Sequence, residues 1–424
     1  MYNKGIRLDA NLAFLKSLVV YRLNPIRRIQ SYRHYGYFIR PGDLCFDIGA
    51  HAGDRISTFL SLGASVIAIE PLPDFMKFLN KLYGKNKLIV MHIFITGIAG
   101  FLGSNLSEYY LKKKYKVSGC DNLVGGDISN LDIKKINFYK GECENLEFMT
   151  KVTKGADVLC HAAAYAHEGL SSFSPTLICN NNVTGSTSVF TAAIRNKIKR
   201  IVFCSSMARY GNIDSPFHEN NKINPVDPYG VSKVAAENIL KILCSTHNIE
   251  YNIAVPHNII GPKQKYNDPY RNVVSIMVNL ILQKRQPLIY GDGEQTRCFS
   301  DIDDCIYCLD KLLFDENIKS QIVNIGPDEE FITINKLYEK LSNLMKFNLD
   351  PIYVEDRPNE VKHAYCSSEK ARKLLNYKTQ VSLEMSLEKI IDFIKKKGSK
   401  KFEYNYDLEI INEKTPNTWK KKFF

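Results

Sequence analysis

The chain has 424 residues, and 45% of them are hydrophobic, so it can bury more than one core and we expect two or three domains. No stretch approaches the roughly 20 uninterrupted apolar residues of a membrane-spanning helix, which predicts a cytoplasmic protein without stable membrane insertion. Much of the formal net charge of +12 comes from basic clusters near the two ends. Because no nucleic-acid-binding motif accompanies them, we expect no nucleic acid partner. Basic residues within the central part indicate an anionic small-molecule substrate, while the terminal clusters could also contact an anionic membrane surface or a partner.

The eleven cysteines stand at irregular spacings, which indicates reduced thiols rather than a disulfide framework. Cys305 and Cys308 form a CxxC pair inside an apparent helix, and no second Cys or His pair stands at the spacing of a zinc site. We therefore favour two helix-face cysteines over a zinc ligand set and expect no metal.

Residues 1–90 contain a strand, a glycine-bearing turn, a helix and a second strand, in DLCFDIGAHAGDRISTFLSLGASVIAIEP. This segment resembles the opening of FkbM-type S-adenosylmethionine methyltransferases. The resemblance implies a methionine-side loop at Asp47, Gly49 and Gly53 and an adenosine-ribose contact at Glu70. It stops before the later strands that would complete such a sheet, so we favour a truncated remnant over a working methyltransferase.

At residue 91 the sequence reads like a second beginning, MHIFITGIAGFLGSN, and we expect a complete enzyme-like domain to start at Met91. Gly97, Gly100 and Gly103 follow a short strand and open a helix. The backbone can therefore approach a pyrophosphate, whose charge is met by the N-terminal amides of the helix. Alone, the triplet is a weak signal for a dinucleotide site.

Short apolar strands alternate with helical periods from residue 91 to about residue 255, a rhythm typical of parallel βαβ units. We expect a doubly wound parallel sheet with helices on both faces. Asp121 ends the second of these strands, where a carboxylate would accept hydrogen bonds from a ribose 2′-hydroxyl and repel a 2′-phosphate. That position favours NAD over NADP, while a solvent-facing turn residue is the alternative interpretation of Asp121.

Tyr229 and Lys233 stand four residues apart in DPYGVSK, so a helix would place both side chains on one face. A free phenol with a pKa near ~10 is a poor base at neutral pH, but a neighbouring ammonium and a cationic nicotinamide both favour the phenolate. Ser205 and Ser206 end the strand VFCSS, at the edge of the sheet where ligands bind. A hydroxyl there can bridge the tyrosine and a substrate.

Residues 91 to about 395 resemble the extended short-chain dehydrogenases/reductases, and among them the nucleotide-sugar epimerases of the UDP-glucose 4-epimerase type. The motifs that carry the resemblance are the glycine turn, DNL, HAAA, NNVTGS, SSMARYG, YGVSK, HNIIGP, YGDGEQTRCFSDIDD and RPNEVKHAYCSSEKARKLL. The implied fold is α/β: a Rossmann-type doubly wound parallel sheet with a smaller mixed α/β substrate lobe, preceded by the partial Rossmann-like βα segment.

The resemblance also implies roles for individual residues. The catalytic triad would be Ser206, Tyr229 and Lys233. The substrate would be held at its diphosphate by Asn258, Arg297 and Arg357, with Ser206 as a further contact. The NAD-binding residues would be Gly97, Ile98, Ala99, Gly100, Phe101, Leu102, Gly103, Asp121, Asn122, Glu142, Cys143, Ala162, Ala163, Ala164, Asn182, Tyr229, Lys233 and Pro256.

The expected organisation follows from the two resemblances. Residues 1–90 form the truncated methyltransferase-like segment, 91–255 the NAD-binding Rossmann domain, 256–396 mainly the nucleotide-sugar-binding lobe, and 397–424 a basic, aromatic extended tail. Members of the resembled family usually dimerise through their long helices, which implies a homodimer that uses the helix of Tyr229.

The residues that follow the implied catalytic serine, Ser206, distinguish between the reactions of the resembled family. Met207 and Ala208 stand where related dehydratases and decarboxylases carry an acidic residue, so the resemblance favours epimerisation. We expect 4-epimerisation of a UDP-hexose for surface polysaccharide or lipopolysaccharide synthesis. Reduction, oxidation or dehydration of a nucleotide sugar stays open, and so does a cofactor-binding scaffold without turnover.

Overall fold

The computed structural model describes residues 24–50, 53–69, 79, 82–83, 91–358 and 361–424. The chain separates into two units, Met1–Met91 and His92–Phe424. The predicted ribose contact Glu70 lies outside the described residues. None of the helices in the described ranges combines the length and apolar character needed to cross a bilayer.

The first unit contains a two-stranded parallel sheet. Its elements are α1 (Pro25–Gly36), β1 (Leu44–Ile48), α2 (Asp54–Ser61) and β2 (Ser65–Ile69). β1 and β2 pair along their whole length. Gly53 has a φ of 73°, in the left-handed region that favours glycine, and directly precedes α2. The two predicted strands and the helix between them are therefore present, around a small buried cluster of Ala50, Ile56, Ala68 and Leu79.

The second unit begins with alternating strands and helices. In chain order these are β3 (His92–Thr96), α3 (Phe101–Lys112), β4 (Lys116–Asp121), β5 (Asn137–Lys140), α4 (Leu146–Val152), β6 (Val158–His161), α5 (Glu168–Ser171), α6 (Pro175–Cys179), α7 (Ser186–Arg195), β7 (Arg200–Cys204), α8 (Pro228–His247) and β8 (Glu250–Pro256). Short 3-10 turns occur at Ile128–Asn130 and Met207–Arg209, and a π-helical turn at Asn180–Gly185.

The remainder of the second unit is more mixed. In chain order it comprises β9 (Ile259–Ile260), α9 (Val273–Leu282), β10 (Leu288–Tyr290), β11 (Thr296–Cys298), β12 (Ser300–Asp301), α10 (Ile302–Phe314), β13 (Gln321–Ile325), β14 (Phe331–Thr333), α11 (Ile334–Met345), β15 (Ile352–Val354), β16 (His363–Ala364), α12 (Glu369–Leu375), α13 (Leu383–Lys397) and α14 (Asn417–Lys420).

A seven-stranded sheet is the centre of the second unit, in the order β13-β8-β7-β6-β3-β4-β5, and every neighbouring pair is parallel. Its inner strands β3, β6 and β7 are buried along their length, as expected for a sheet covered by helices on both faces. The predicted α/β fold with a doubly wound parallel sheet is confirmed. Because the strands are parallel, their carboxyl ends meet at one edge, where ligands bind in such sheets.

The smaller lobe is built from short sheets and three helices. β9 pairs with β12, β10 with β15, and β11 lies between β14 and β16. Its own core packs residues of α9, α11 and α13 together, including Met277, Leu337, Leu387 and Ile390. β13 departs from the sequence-based division, because it lies in the region assigned mainly to the substrate lobe and yet pairs with β8 in the main sheet.

The C-terminal segment, residues 397–424, lacks long elements but packs closely against the second unit. Trp419 is 2% exposed, and its ring lies 5.1 Å from the ring of Tyr270 and 5.9 Å from that of Phe173. The Glu409 carboxylate accepts hydrogen bonds from the backbone of Thr176 and Leu177 at 2.9 Å each. The segment predicted as an extended tail is therefore part of the folded unit.

A buried ion pair joins the end of β7 to α8. Arg209 and Glu237 are 1% and 0% exposed, with Arg209 Nε 2.9 Å from Glu237 Oε1, and Arg209 Nη2 donating to Oε2 at 3.0 Å. The Ser205 hydroxyl donates to the same carboxylate at 2.5 Å. Because Ser205 precedes Ser206, the pair holds the strand end that carries one of the predicted catalytic residues.

Replacing Arg209 by methionine leaves the Glu237 carboxylate buried without its guanidinium partner, so we expect the free energy of unfolding to fall by ~3–5 kcal/mol in denaturant titrations. Replacing both residues, Arg209→Met with Glu237→Leu, removes both charges and should recover part of that loss. Arg195→Met breaks an exposed pair with Glu147 and is the matched control, with an unchanged midpoint expected. A loss no larger than in this control would contradict the proposed role of the buried pair.

Candidate active site

A cavity of about 480 Å³ lies at the carboxyl ends of the parallel strands in the second unit. Residues that directly follow β3, β4, β6 and β7, together with the last residue of β8, contribute to its lining. This is the edge at which the topology of a doubly wound sheet places ligands. The cavity therefore gathers the segments that the sequence analysis singled out one at a time.

The glycine turn forms one wall of this cavity, and two of its glycines have no room for a side chain. Gly97 has a φ of 66°, and a Cβ added to it would lie 2.9 Å from the Ala163 Cα. A Cβ on Gly103 would lie 2.2 Å from the Gly97 carbonyl oxygen. The turn thus exposes backbone to the cavity at the start of α3, where N–H groups and the helix dipole favour a phosphate.

Asp121 ends β4 and is 7% exposed. Its carboxylate accepts hydrogen bonds from the backbone N–H of Ala99 at 2.9 Å and of Leu123 at 2.8 Å. Burial raises its pKa, while the N–H groups of Leu123, Ala99 and Gly100 act in the opposite direction. A Cβ on Gly126 would lie 2.8 Å from this carboxylate. A turn without side chains beside a strand-end carboxylate fits the pyrophosphate and ribose of a dinucleotide.

The structure brings most of the predicted cofactor residues together on the cavity and leaves four of them off its lining. The lining includes Gly97, Gly100, Phe101, Leu102, Gly103, Asp121, Asn122, Cys143, Ala162, Ala163, Ala164, Tyr229, Lys233 and Pro256. The four predicted residues outside the lining are Ile98, Ala99, Glu142 and Asn182.

Those four residues contact the lining rather than form it. The Ala99 N–H binds Asp121, and the exposed Glu142 accepts a hydrogen bond from Asn122 at 2.9 Å. Asn182 is 2% exposed and accepts from the Tyr165 N–H at 3.0 Å while donating to Ser232 at 3.1 Å. In this geometry Asn182 braces the loop after β6 and the helix of Lys233.

Tyr229 and Lys233 lie in the first turns of α8. The side chain of Asp227 caps this helix by accepting from the Gly230 N–H at 2.8 Å, and Pro228 occupies the first helical turn. Tyr229 and Lys233 are 5% and 4% exposed, and both line the cavity with Ser206. The Lys233 ammonium donates to the Cys204 carbonyl at 2.9 Å and lies 5.8 Å from the centre of the Tyr229 ring.

Burial controls the charge states of the two side chains. It raises the pKa of Tyr229 well above its ordinary value, and the opposing effect of a hydrogen bond from Ser206 is smaller. Burial also lowers the pKa of Lys233 to about 8, with Arg271 acting in the same direction. Desolvation is therefore the largest influence on the pKa of each side chain, and for Tyr229 it opposes the phenolate form.

The predicted substrate residues Asn258, Arg297 and Arg357 line the same cavity. Arg297 lies on β11, opposite Ala364 of β16, and the Arg357 guanidinium lies 4.8 Å from the centre of the Tyr290 ring. The Asn258 side chain donates to the Cys298 carbonyl at 3.1 Å. Two guanidinium groups in one cavity can bind a diphosphate through paired hydrogen bonds.

Sequence reasoning missed several residues that line the cavity, among them Glu168, Arg271, Tyr406 and Phe424. Glu168 follows shortly after the HAAA motif, so its position in the sequence could have indicated that it lines the cavity. The other three come from an irregular loop and from the C-terminal segment, where no period or motif marks them.

Cys305 and Cys308 are buried in α10, at 1% and 0% exposure. Across the described ranges, no group of three or more His, Cys, Asp or Glu side chains could hold a metal ion. Burial raises the pKa of both thiols, which keeps them protonated and apolar in character.

Comparison with known proteins agrees with this geometry. Residues 93–326, more than half of the chain, match the NAD dependent epimerase/dehydratase family. A protein of Methanocaldococcus jannaschii, whose name carries a provisional UDP-glucose 4-epimerase assignment, is 32% identical over 308 residues, covering 72% of this chain and 98% of its own length.

Solved structures share the fold of the second unit. A UDP-glucose 4-epimerase from Thermotoga maritima, solved with UDP-glucose, has a TM-score of 0.69 at 27% identity and covers 72% of this chain and 99% of its own. A UDP-glucuronic acid 4-epimerase from Bacillus cereus, solved with UDP-glucuronic acid and NAD, has a TM-score of 0.68 at 27% identity, with coverages of 73% and 100%. The chain belongs to the NAD dependent epimerase/dehydratase family, which confirms NAD as its cofactor.

Proposed function

We propose that this protein is an NAD-dependent 4-epimerase of a UDP-hexose that supplies sugars for surface polysaccharide or lipopolysaccharide. The observation that carries the proposal is the convergence of Ser206, Tyr229 and Lys233 on one cavity with the glycine turn. The same cavity carries Arg297 and Arg357, whose guanidinium groups suit a nucleotide diphosphate. UDP-sugars are bound by the Thermotoga maritima and Bacillus cereus relatives, which supports UDP as the nucleotide.

In the proposed reaction, Tyr229 removes the proton of the sugar 4-hydroxyl and Ser206 orients that hydroxyl. NAD, which the glycine turn and Asp121 would hold, would supply the chemistry that takes a hydride from C4 and returns it to the opposite face of the sugar. Lys233 keeps a positive charge near the phenol, because a pKa of about 8 leaves most of it protonated at neutral pH. Tyr229 then returns its proton to the oxygen of the 4-keto sugar, which completes the inversion. General acid-base catalysis of this kind contributes ~10²- to 10⁴-fold to the rate.

The substrate diphosphate would stay bound while the 4-keto sugar ring rotates within the cavity. Arg297, Arg357 and Asn258 provide the donors, and they lie on the smaller lobe rather than on the main sheet. Anchoring at the diphosphate leaves the 4-keto ring free to present either face to the same hydride donor. We accordingly propose the division of labour expected from the sequence, with residues 91–255 for NAD and mainly residues 256–396 for the nucleotide sugar.

Dehydration of a nucleotide sugar is the second candidate. Met207 and Ala208 line the cavity directly after Ser206 and have no proton to transfer, which favours epimerisation. Glu168 also lines the cavity and is close enough to raise the pKa of Tyr229, so an acid is present at another position. The complete set of Ser206, Tyr229 and Lys233 argues against a non-catalytic scaffold.

We propose that residues 1–90 are a remnant of an FkbM-type methyltransferase without methyl transfer activity. Asp47, the predicted start of the methionine-side loop, is buried and its carboxylate lies 2.9 Å from the Arg55 Nε, so an internal cation occupies it. In the described part of this unit the sheet has two strands, and Phe46 and Ile48 of β1 are 60% and 72% exposed, as expected when one face of a sheet is left uncovered.

We also propose a homodimer that uses α8, and a cytoplasmic location. Val231 and Ile242 on α8 are 50% and 65% exposed, which offers apolar surface on the helix that carries Tyr229. All eleven cysteines are free thiols, which suits a reducing compartment.

Replacing Tyr229 by phenylalanine should lower turnover of the accepted UDP-hexose by roughly 10²-fold or more, because the proton acceptor is lost. NAD binding, measured by calorimetry, should stay close to that of the wild type. Tyr139→Phe, on the edge strand β5 and 38% exposed, is the matched control and should keep full turnover. An unchanged rate in the Tyr229 variant would refute the assignment. Products from a panel of UDP- and GDP-sugars separate the two candidates, since epimerisation keeps the mass and dehydration removes a water.

Titrating the full chain with S-adenosylmethionine in a calorimeter should give no saturable heat, because the Asp47 carboxylate is paired with Arg55 and the sheet of the first unit has two strands in its described residues. NAD titrated into the same preparation is the positive control for folded protein. Saturable binding of S-adenosylmethionine would revive a working methyltransferase site in residues 1–90.

Introducing a charge on the exposed face of α8, as Ile242→Glu, should convert the dimer to a monomer in light scattering, because a carboxylate would be desolvated in the interface. Met385→Glu on α13, at a site 50% exposed, is the matched control and should leave the dimer intact. A monomeric wild type, or a dimeric Ile242 variant, would contradict the proposed interface.

A further inference from the structure

Three segments that are distant in sequence meet at Gly125, in the loop that follows β4. A Cβ placed on Gly125 would lie 3.8 Å from Arg271 Nη1 and 3.8 Å from the Tyr406 hydroxyl oxygen. The neighbouring Gly126 adjoins the Asp121 carboxylate. Two donors from outside the Rossmann motifs therefore reach the part of the cavity that Asp121 marks as the cofactor end.

Arg271 lies on residues 263–272, which we call the arginine loop, just before α9. Lys265 on this loop donates to the Val124 carbonyl at 3.1 Å, which ties the arginine loop to the loop of Gly125. Asp268 is 3% exposed, binds the buried His167 at 3.1 Å and attracts Arg271. The loop is thus fixed from two sides while the Arg271 side chain stays partly buried and lines the cavity.

The C-terminal segment supports the arginine loop and adds Tyr406. The Tyr266 hydroxyl donates to the Gly398 carbonyl at 2.9 Å, and the Glu403 N–H donates to the Asn267 carbonyl at 2.9 Å. Tyr406 is 6% exposed, and within the described residues its hydroxyl has no hydrogen-bond partner. A buried hydroxyl without a partner is costly, so a bound ligand at this place would relieve the cost.

The other cationic side chains that line the cavity lie or make contacts away from the loop of Gly125. Lys233 donates to the Cys204 carbonyl beside Tyr229. Arg297 and Arg357 belong to the smaller lobe, at the end of the cavity that carries Tyr290 and Ala364. Of the cationic side chains in the described lining, Arg271 is the one that reaches the loop after Asp121. A dinucleotide brings two phosphate charges to this region, and a guanidinium is well suited to bind them.

We propose that Arg271 binds the diphosphate of the dinucleotide cofactor and that the Tyr406 hydroxyl donates a second hydrogen bond there. This deepens the proposed function and rests on it for the use of the cavity by NAD. In this arrangement the glycine turn supplies backbone N–H groups, and the arginine loop with the C-terminal segment supplies the side-chain charge. Burial raises the pKa of Tyr406, which keeps its phenol protonated as a donor.

The test is calorimetric titration of NAD into the full chain and its variants. Arg271→Gln should raise the Kd for NAD by roughly 10- to 100-fold, the range of a charge-assisted hydrogen bond, and Tyr406→Phe by roughly 2- to 10-fold, the range of a neutral one. Arg271→Lys keeps the charge without the fork and should fall between the wild type and Arg271→Gln. The Kd for UDP alone should change in none of them.

Arg195→Gln removes the same charge from an exposed site far along α7 and is the matched control, with an unchanged Kd for NAD expected. An unchanged Kd in Arg271→Gln, or a loss of UDP affinity in place of NAD affinity, would overturn the proposal for Arg271. An unchanged Kd in Tyr406→Phe would overturn the part assigned to Tyr406. A wild type that binds no NAD would refute the proposed function itself and so would be distinguishable from either result.

Discussion

The close packing of backbone at the glycine turn is the constraint on which the rest of the site depends. Gly103 brings α3 so near to the turn that any side chain would collide with the Gly97 carbonyl, and Gly97 in turn touches the loop after β6 at Ala163. Asp121 locks the arrangement by accepting from Ala99 and Leu123. The N–H groups that face the cavity are therefore fixed before any ligand arrives, so ordering them costs little on binding.

A second constraint is electrostatic, because burial disfavours charge on both Tyr229 and Lys233. The pKa of Tyr229 is raised and that of Lys233 is lowered, each mainly by desolvation. A cationic nicotinamide nearby would favour the phenolate, and the phosphates of both ligands would favour the ammonium. The protein thus keeps the Tyr229 phenol protonated and leaves the Lys233 ammonium mostly charged at neutral pH. A bound cationic nicotinamide would therefore promote the proton transfer proposed for Tyr229.

The parts of the fold that could be predicted depend on contacts close in sequence. The glycine spacing, the carboxylate at the end of β4 and the four-residue separation of Tyr229 from Lys233 follow from local geometry, and the structure brings these residues to one cavity. The predicted strands of the sheet were recognised by their short apolar runs. Residues 256–396, which include β13, were predicted to form mainly the smaller lobe. The pairing of β13 with β8 could not be predicted, because strand pairing is decided by long-range packing, which a run of five residues does not encode.

The residues that escaped prediction share one physical feature, which is that their role depends on segments far apart in the chain. In the sequence Glu237 has no feature that sets it apart from other helical glutamates. Its role depends on its contacts with Arg209 and Ser205, which only the fold brings together. Tyr406 lies beyond residues 93–326, the part of the chain that matches the family, and yet it lines the cavity. The Rossmann motifs therefore mark one wall of the cavity in the sequence, while other parts of its lining come from segments outside those motifs.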